Sequence, residues 1–311
     1  MRPTAFLAPP AALPALVLAA VALVSCTTAP PPGPKIDPAL AGLIPADTVI
    51  MAGTRLEALK RTPVYQKFLA HRSLPQIDDF AARTGVNPQK DLWELLYVSN
   101  ARSGALMGHG MFSDEGEPRL QQRGDNRFGY KGFNFVGNQL TAILLISPTV
   151  LALGDTDELR AMVDAHEKAA SPPTAMKPLL ARISPAAQFW AAYAGGPIHL
   201  PFDTSGNLGN INKILSLIQT GTLYLDLSTG FAGVSETTSA TDQDAEQLES
   251  GLKALIGLGR LSVSPKQPGL QTVWDGLRPT RENREVKLHI DEPEESMDDL
   301  LNLLLGRAAA K

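Results

Sequence analysis

The residues of this chain that could do chemistry are few, and their spacing assembles no familiar site. The histidines His71, His109, His166, His199 and His289 show neither an i, i+4 pair nor the His-Glu-x-x-His spacing that sets two imidazoles on one helix face for zinc. His109 stands apart because it lies between Gly108 and Gly110 in a predicted strand, where a close backbone approach can leave an imidazole accessible. A catalytic histidine needs an oriented partner, so His109 would act as a general base only beside an acid that the fold brings to it. Asp242, Asp244, Glu246 and Glu249 imitate a calcium loop. Gln247 stands where its tight turn wants glycine, however, and Lys253 where a bidentate glutamate belongs. Those carboxylates read instead as the opening of a helix, at its positive end. Asp78-Asp79 turn away from each other on a short helix. Arg123-Gly124-Asp125 spells an adhesion-like tripeptide in a polar, glycine-rich segment. Neither a Gly-x-Ser-x-Gly elbow nor a Gly-x-x-x-x-Gly-Lys phosphate loop occurs. The sequence therefore predicts no catalytic residue, no metal ligand and no cofactor.

Aromatic residues offer a binding face instead. Phe128, Tyr130, Phe133 and Phe135 lie in a glycine-punctuated run, with positions 133 and 135 on one side of a strand. They are candidates for gripping a ligand, although alternate aromatics also serve strands by packing alone.

The elements that position these residues begin with Cys26, the chain's single cysteine, which leaves no disulfide or multi-thiolate site within one chain. It closes Leu23-Val24-Ser25-Cys26 behind Arg2 and the apolar stretch Ala11 to Val24, which reads as a signal peptide interrupted by Pro9, Pro10 and Pro14. Those four residues resemble the lipobox of bacterial lipoproteins. The resemblance implies cleavage before Cys26, a diacylglycerol thioether on its thiol and a further acyl chain on the freed amine, which excludes cysteine catalysis. Each buried methylene contributes about 0.8 kcal/mol, and two chains suffice for stable anchoring. Thr27, a non-aspartate after the cysteine, implies export to the outer membrane in the enterobacterial branch of that family. The expected location is the cell envelope, most simply the outer membrane facing the periplasm or the surface.

Thr27 to Pro38 is proline-rich and predicts an extended stalk. With 311 residues, 44% hydrophobic and 19% charged, the chain can bury a sizeable core, and its net charge of −4 argues against nucleic acid and polybasic membrane attachment. Past the stalk a phrase recurs. Leu43-Ile44-Pro45-Ala46-Asp47-Thr48 leads into a strand, as does Ile183-Ser184-Pro185-Ala186. Each copy continues through a helix ending at Thr-Gly (Thr84-Gly85, Thr220-Gly221), then a hairpin, and closes on a strand and capped helix (Val150 to His166, Glu285 to Leu304). Ile211, Ile214, Leu215 and Ile218 recur at helical spacing, as do Leu248, Leu252, Leu255 and Ile256.

These patterns predict an α+β fold: two related units of mainly antiparallel sheet with helices packed on one face. The divisions are a leader at 1–25, a lipidated linker at 26–40, and units at 41–170 and 171–311. The opening phrases resemble uncharacterised bacterial envelope proteins built of tandem α+β units, a likeness that carries no catalytic residues. The expected function is a lipid-anchored, non-enzymatic envelope protein acting through protein or ligand contacts, its partners being the membrane through Cys26 and an envelope protein. The alternatives are a periplasmic hydrolase using His109 and a neighbouring acid, and a carrier of a lipidic ligand.

Overall fold

The computed structural model describes residues 33–70, 81, 86–112, 126–168, 172–196, 209–263, 268–292 and 296. Among them the chain is an α+β fold built on one 12-stranded antiparallel sheet. Helix α1 (Pro38–Ala41) has proline in its first turn and is capped by Asp37, whose carboxylate accepts from Ala39 N at 2.8 Å. Strand β1 (Ile50–Arg55) runs into α2 (Leu56–Lys60), followed by a π-helical turn at Tyr65–Leu69 and by α3 (Pro88–Asp91). Three hairpins come next: β2 (Leu92–Ser99) with β3 (Gly104–Gly110), β4 (Asn126–Tyr130) with β5 (Phe133–Gly137), and β6 (Thr141–Ser147) with β7 (Val150–Asp155). Helix α4 (Thr156–Glu167) follows β7 directly.

The second half contains α5 (Lys177–Leu180), β8 (Phe189–Tyr193), α6 (Gly209–Ser216), β9 (Ile218–Asp226) and β10 (Phe231–Ser239). It ends with α7 (Asp242–Leu261), α8 (Pro268–Gly276), β11 (Arg278–Glu282) and β12 (Glu285–Glu292). The strand order is β11-β12-β10-β9-β8-β1-β2-β3-β7-β6-β5-β4. Outward from the central β1·β8 pair, the first five strands match on the two sides: three in sequence order, then a hairpin entered through its second strand (β12-β11 and β7-β6), beyond which β5 and β4 extend the first half alone.

A single row of register partners crosses every strand. It runs Phe128, Phe135, Leu144, Ala152, Met107, Leu96, Gly53, Trp190, Tyr224, Val234, His289, Arg278. The middle of this row is the main core. Phe135, Leu144, Ala152, Met107 and Leu96 are fully buried, and Trp190 is 2% exposed. Gly53 is glycine for a packing reason: a Cβ there would lie 2.5 Å from the Trp190 ring. Leu40 of α1, Leu159, Met162 and Val163 of α4 and Leu179 of α5 cover this face.

Several expectations need correction. The helices do not all pack on one face. Register puts Val286 and Ile290 on the face opposite the main core, where Val286 meets Ala245 and Leu248 of α7 and Ile290 packs against a cluster containing Val273 of α8. The stripe ending at Ile218 is broken, because α6 stops at Ser216 and Ile218 starts β9. Thr220-Gly221 lies inside β9 for the same reason, so it caps nothing. The linker ends before residue 40: Leu40 is fully buried, Ile36 packs on the core, and the Gly33 backbone lies so close to the Leu180 carbonyl that a Cβ would collide with it. Thr84-Gly85, Asp78-Asp79, Arg123-Gly124-Asp125, His71, His199, Cys26 and most of the closing helix after Pro293 lie outside the described residues. No helix among the described residues is long and apolar enough to cross a membrane.

Candidate functional site

His109 has its acid. The imidazole Nδ1 lies 3.2 Å from Asp37 Oδ2, within reach for an Nδ1–H to donate to the carboxylate. The local backbone explains how the two meet. A register shift between Leu92 and Glu94 opposite β3 bulges the strand at Trp93, whose indole stands edge-on to the imidazole at 4.9 Å and 87°. Gly110 permits the approach, since a Cβ there would sit 2.0 Å from the Asp91 carbonyl. The Asp37 N–H donates to Glu94 Oε1 at 3.2 Å, and burial pushes the Glu94 carboxyl up despite that bond. The His109 side chain is 17% exposed, and the same Asp37 carboxylate caps α1. The dyad therefore clasps the incoming chain to the sheet. Among the described residues no cluster of three His, Cys, Asp or Glu side chains is arranged to hold a metal.

The aromatic run is a hairpin rather than one strand. Lys131 and Gly132 both have positive φ, 46° and 83°, as a two-residue primed turn requires. Register places Phe128 opposite Phe135 and Tyr130 opposite Phe133, so all four side chains share one face. That face is turned to α4. Phe128 stacks on Phe135 at 5.3 Å, Arg160 lies over Phe128 and Tyr130 at 5.9 and 5.8 Å, and Phe133 meets His166 edge-on. At the tip Lys131 reaches Asp164 at 2.6 Å and Glu167 at 2.8 Å, while the Tyr130 hydroxyl donates to Asp164. The lysine holds the Asp164 carboxyl below its ordinary range. Phe135 is fully buried and the other three are half-buried, which places them in packing with the helix.

A surface concavity lies elsewhere, between α6 and α7. Lys213, Ile214, Ser216 and Leu217 form one wall, and Gln247, Gly251, Ala254, Leu255 and Leu258 the other, around a cavity of about 430 Å³. Gly251 lets the helices approach, because a Cβ there would press on Ile214 at 3.0 Å. Leu258 is 61% exposed and Leu261, one turn on, 85% exposed. The groove is mostly apolar, with Lys213, Ser216 and Gln247 as its polar lining residues, the usual composition of a ligand or partner site.

No family model and no curated protein matches this sequence. The chain is similar in structure to TP0453. Crystal form III of that protein aligns with a TM-score of 0.50 at 9% identity over 86% of this chain and 98% of that one. Crystal forms I and IV align with TM-scores of 0.45 and 0.44 at 11% and 10% identity, over 88% and 86% of this chain and 98% and 97% of those. At such identity the likeness speaks to the fold alone.

Two of the sequence candidates thus acquire partners that lie far away in the chain, His109 with Asp37 and the aromatics with α4. The α6–α7 groove was only half legible. The helical stripes signalled apolar faces, but not that α7 extends its apolar side past α6 into solvent. The clasp makes a direct prediction. Asp37→Ala removes both the cap and the contact to His109 and is expected to cost about 1–2 kcal/mol, whereas Asp37→Asn keeps the cap and costs less. Urea midpoints measured at constant slope check the order.

Proposed function

We propose that this chain is a lipid-anchored protein of the bacterial cell envelope that works by binding, built from two related α+β units that share one sheet. The carrying observation is the open apolar groove between α6 and α7, with Leu258 exposed at its rim. A monomer that leaves such a surface uncovered offers it to an apolar ligand or to a partner. The lipobox-like Leu23-Val24-Ser25-Cys26 and the proline-rich tract behind it support the tether, most simply in the outer membrane. The matching strand order of the halves around the β1·β8 pair supports the relation between the units. The hydrolase alternative would draw on His109 and Asp37, but those groups are engaged in capping α1 and seating it on the sheet.

A photo-crosslinking residue placed at Leu258 in cells tests the binding site. The expected result is a discrete adduct, with protein or with lipid, that is missing when the same residue replaces the exposed Arg284. No adduct at Leu258, or the same adducts at both positions, would remove the groove as the site.

A further inference from the structure

The segment that brings the chain from its N-terminal tract onto the sheet is held by ionisable groups at both ends. Between them Leu40, Leu43 and Ile44 are at most 1% exposed and pack in the core that contains Leu159, Met162 and Val163 of α4. At the first end Asp37 faces His109 at 3.2 Å and donates its N–H to Glu94, which in turn feels the Arg55 charge. At the second end Asp47 accepts from Asn100 Nδ2 at 3.2 Å, beside the turn that joins β2 to β3. Glu158 of α4 points into that corner and is 1% exposed. Ser103 Oγ donates to its Oε2 at 2.7 Å, while its Oε1 has no partner among the described residues. Asp155 is engaged by the Gly104 N–H at 2.7 Å, and Arg102, the cation of the turn, is exposed. The Thr48 hydroxyl, 2% exposed, is also unpartnered among the described residues.

An ionised Glu158 would have one donor where a buried carboxylate needs two or three, with Asp47 and Asp155 as negative neighbours. Its place in the first turn of α4 favours the anion, but burial wins and pushes the carboxyl up to about 7.

We propose that residues 37–48 form a proton-tightened joint, held on the sheet while the buried Glu158 carries a proton and loosened as that proton leaves. The two ends act in the same direction. A proton on Glu158 removes the charge that faces Asp47 and Asp155. Glu94 adds to the effect, because its protonated carboxyl still accepts from the Asp37 N–H and no longer repels the Asp37 carboxylate. With the joint seated the Glu158 carboxyl is pushed up to about 7, and removing the segment that carries Asp47 takes away burial and a negative neighbour and lowers it toward the ordinary 4.5. The hold is therefore complete below the lower value and is lost as pH rises through the upper. If Cys26 is acylated, the joint sets how freely the domain swings from its anchor. That consequence rests on the tether reading, while the joint itself does not.

Hydrogen exchange of the full chain, followed from about pH 5 to about pH 8.5 and corrected for intrinsic exchange, tests the joint without any lipid. The expected result is a loss of protection of at least about tenfold over residues 38–49, with α7 unchanged. Glu158→Gln, which cannot ionise, removes most of that loss. Asp47→Asn, at an exposed position, shifts the transition to lower pH by taking away a negative neighbour. Protection that does not change with pH in the unaltered chain, or a transition that stays in place in both variants, would overturn the proposal. Either outcome leaves membrane attachment through Cys26 untouched.

Discussion

Cys26→Ala is expected to move the protein from the membrane pellet to the soluble fraction with its melting temperature unchanged. On the lipobox reading the attachment would depend on one thiol, Cys26, outside the described residues, whereas the core begins near Ile36 and contains no cysteine. At about 0.8 kcal/mol per buried methylene, losing two or more acyl chains removes far more free energy than any surface contact can replace. No helix among the described residues is long and apolar enough to cross the membrane in its place. Fractionation after a carbonate wash, with the soluble fraction melted in parallel, reads both halves of the prediction. A variant that stays in the pellet would end the lipoprotein reading, and one that goes soluble but melts early would show that the leader region contributes to the fold.

Trp190→Ala is the most damaging single substitution expected in the sheet. The indole fills the centre of the register row, 2% exposed, over Gly53 of the neighbouring strand. Truncating a buried aromatic of this size costs about 3–5 kcal/mol in lost burial and residual cavity, or roughly 10 °C in melting temperature for a domain of this size. The facing glycine makes the claim sharper. Gly53→Ala puts a Cβ 2.5 Å from the ring and is expected to cost about 1–3 kcal/mol by overpacking. In a Trp190→Ala background the same change has room, so most of its cost disappears. A double-mutant cycle measures that coupling, and simple additivity would mean that the two residues do not share the space described.

The pair also shows where sequence reading stops. Val150 to Asp155 followed by α4, and the long α7 behind the Thr241 cap, are legible because strand period, helix period and cap chemistry repeat within a few residues. The side chain of Asp155 also marked a helix start, but it accepts from Gly104 instead of capping, because the hairpin turn delivers a backbone donor to it. Phe133 and Phe135 are legible as one side of a strand, but that Phe128 and Tyr130 lie opposite them is decided by the turn at Lys131-Gly132.

By itself the sequence determined the α+β class, the hairpins β2–β3 and β9–β10 and the helices α4 and α7, all of which rest on short-range periodicity and on residues a few positions apart. Tertiary structure alone decided that the two halves join into one sheet through β1 and β8, that helices lie on both of its faces, and that Asp37 reaches Glu94 across 57 positions and Ser103 reaches Glu158 across 55. Such meetings depend on strand register and on which loops close. The free energy of loop closure changes slowly with loop length, so it leaves no local mark on the residues that meet.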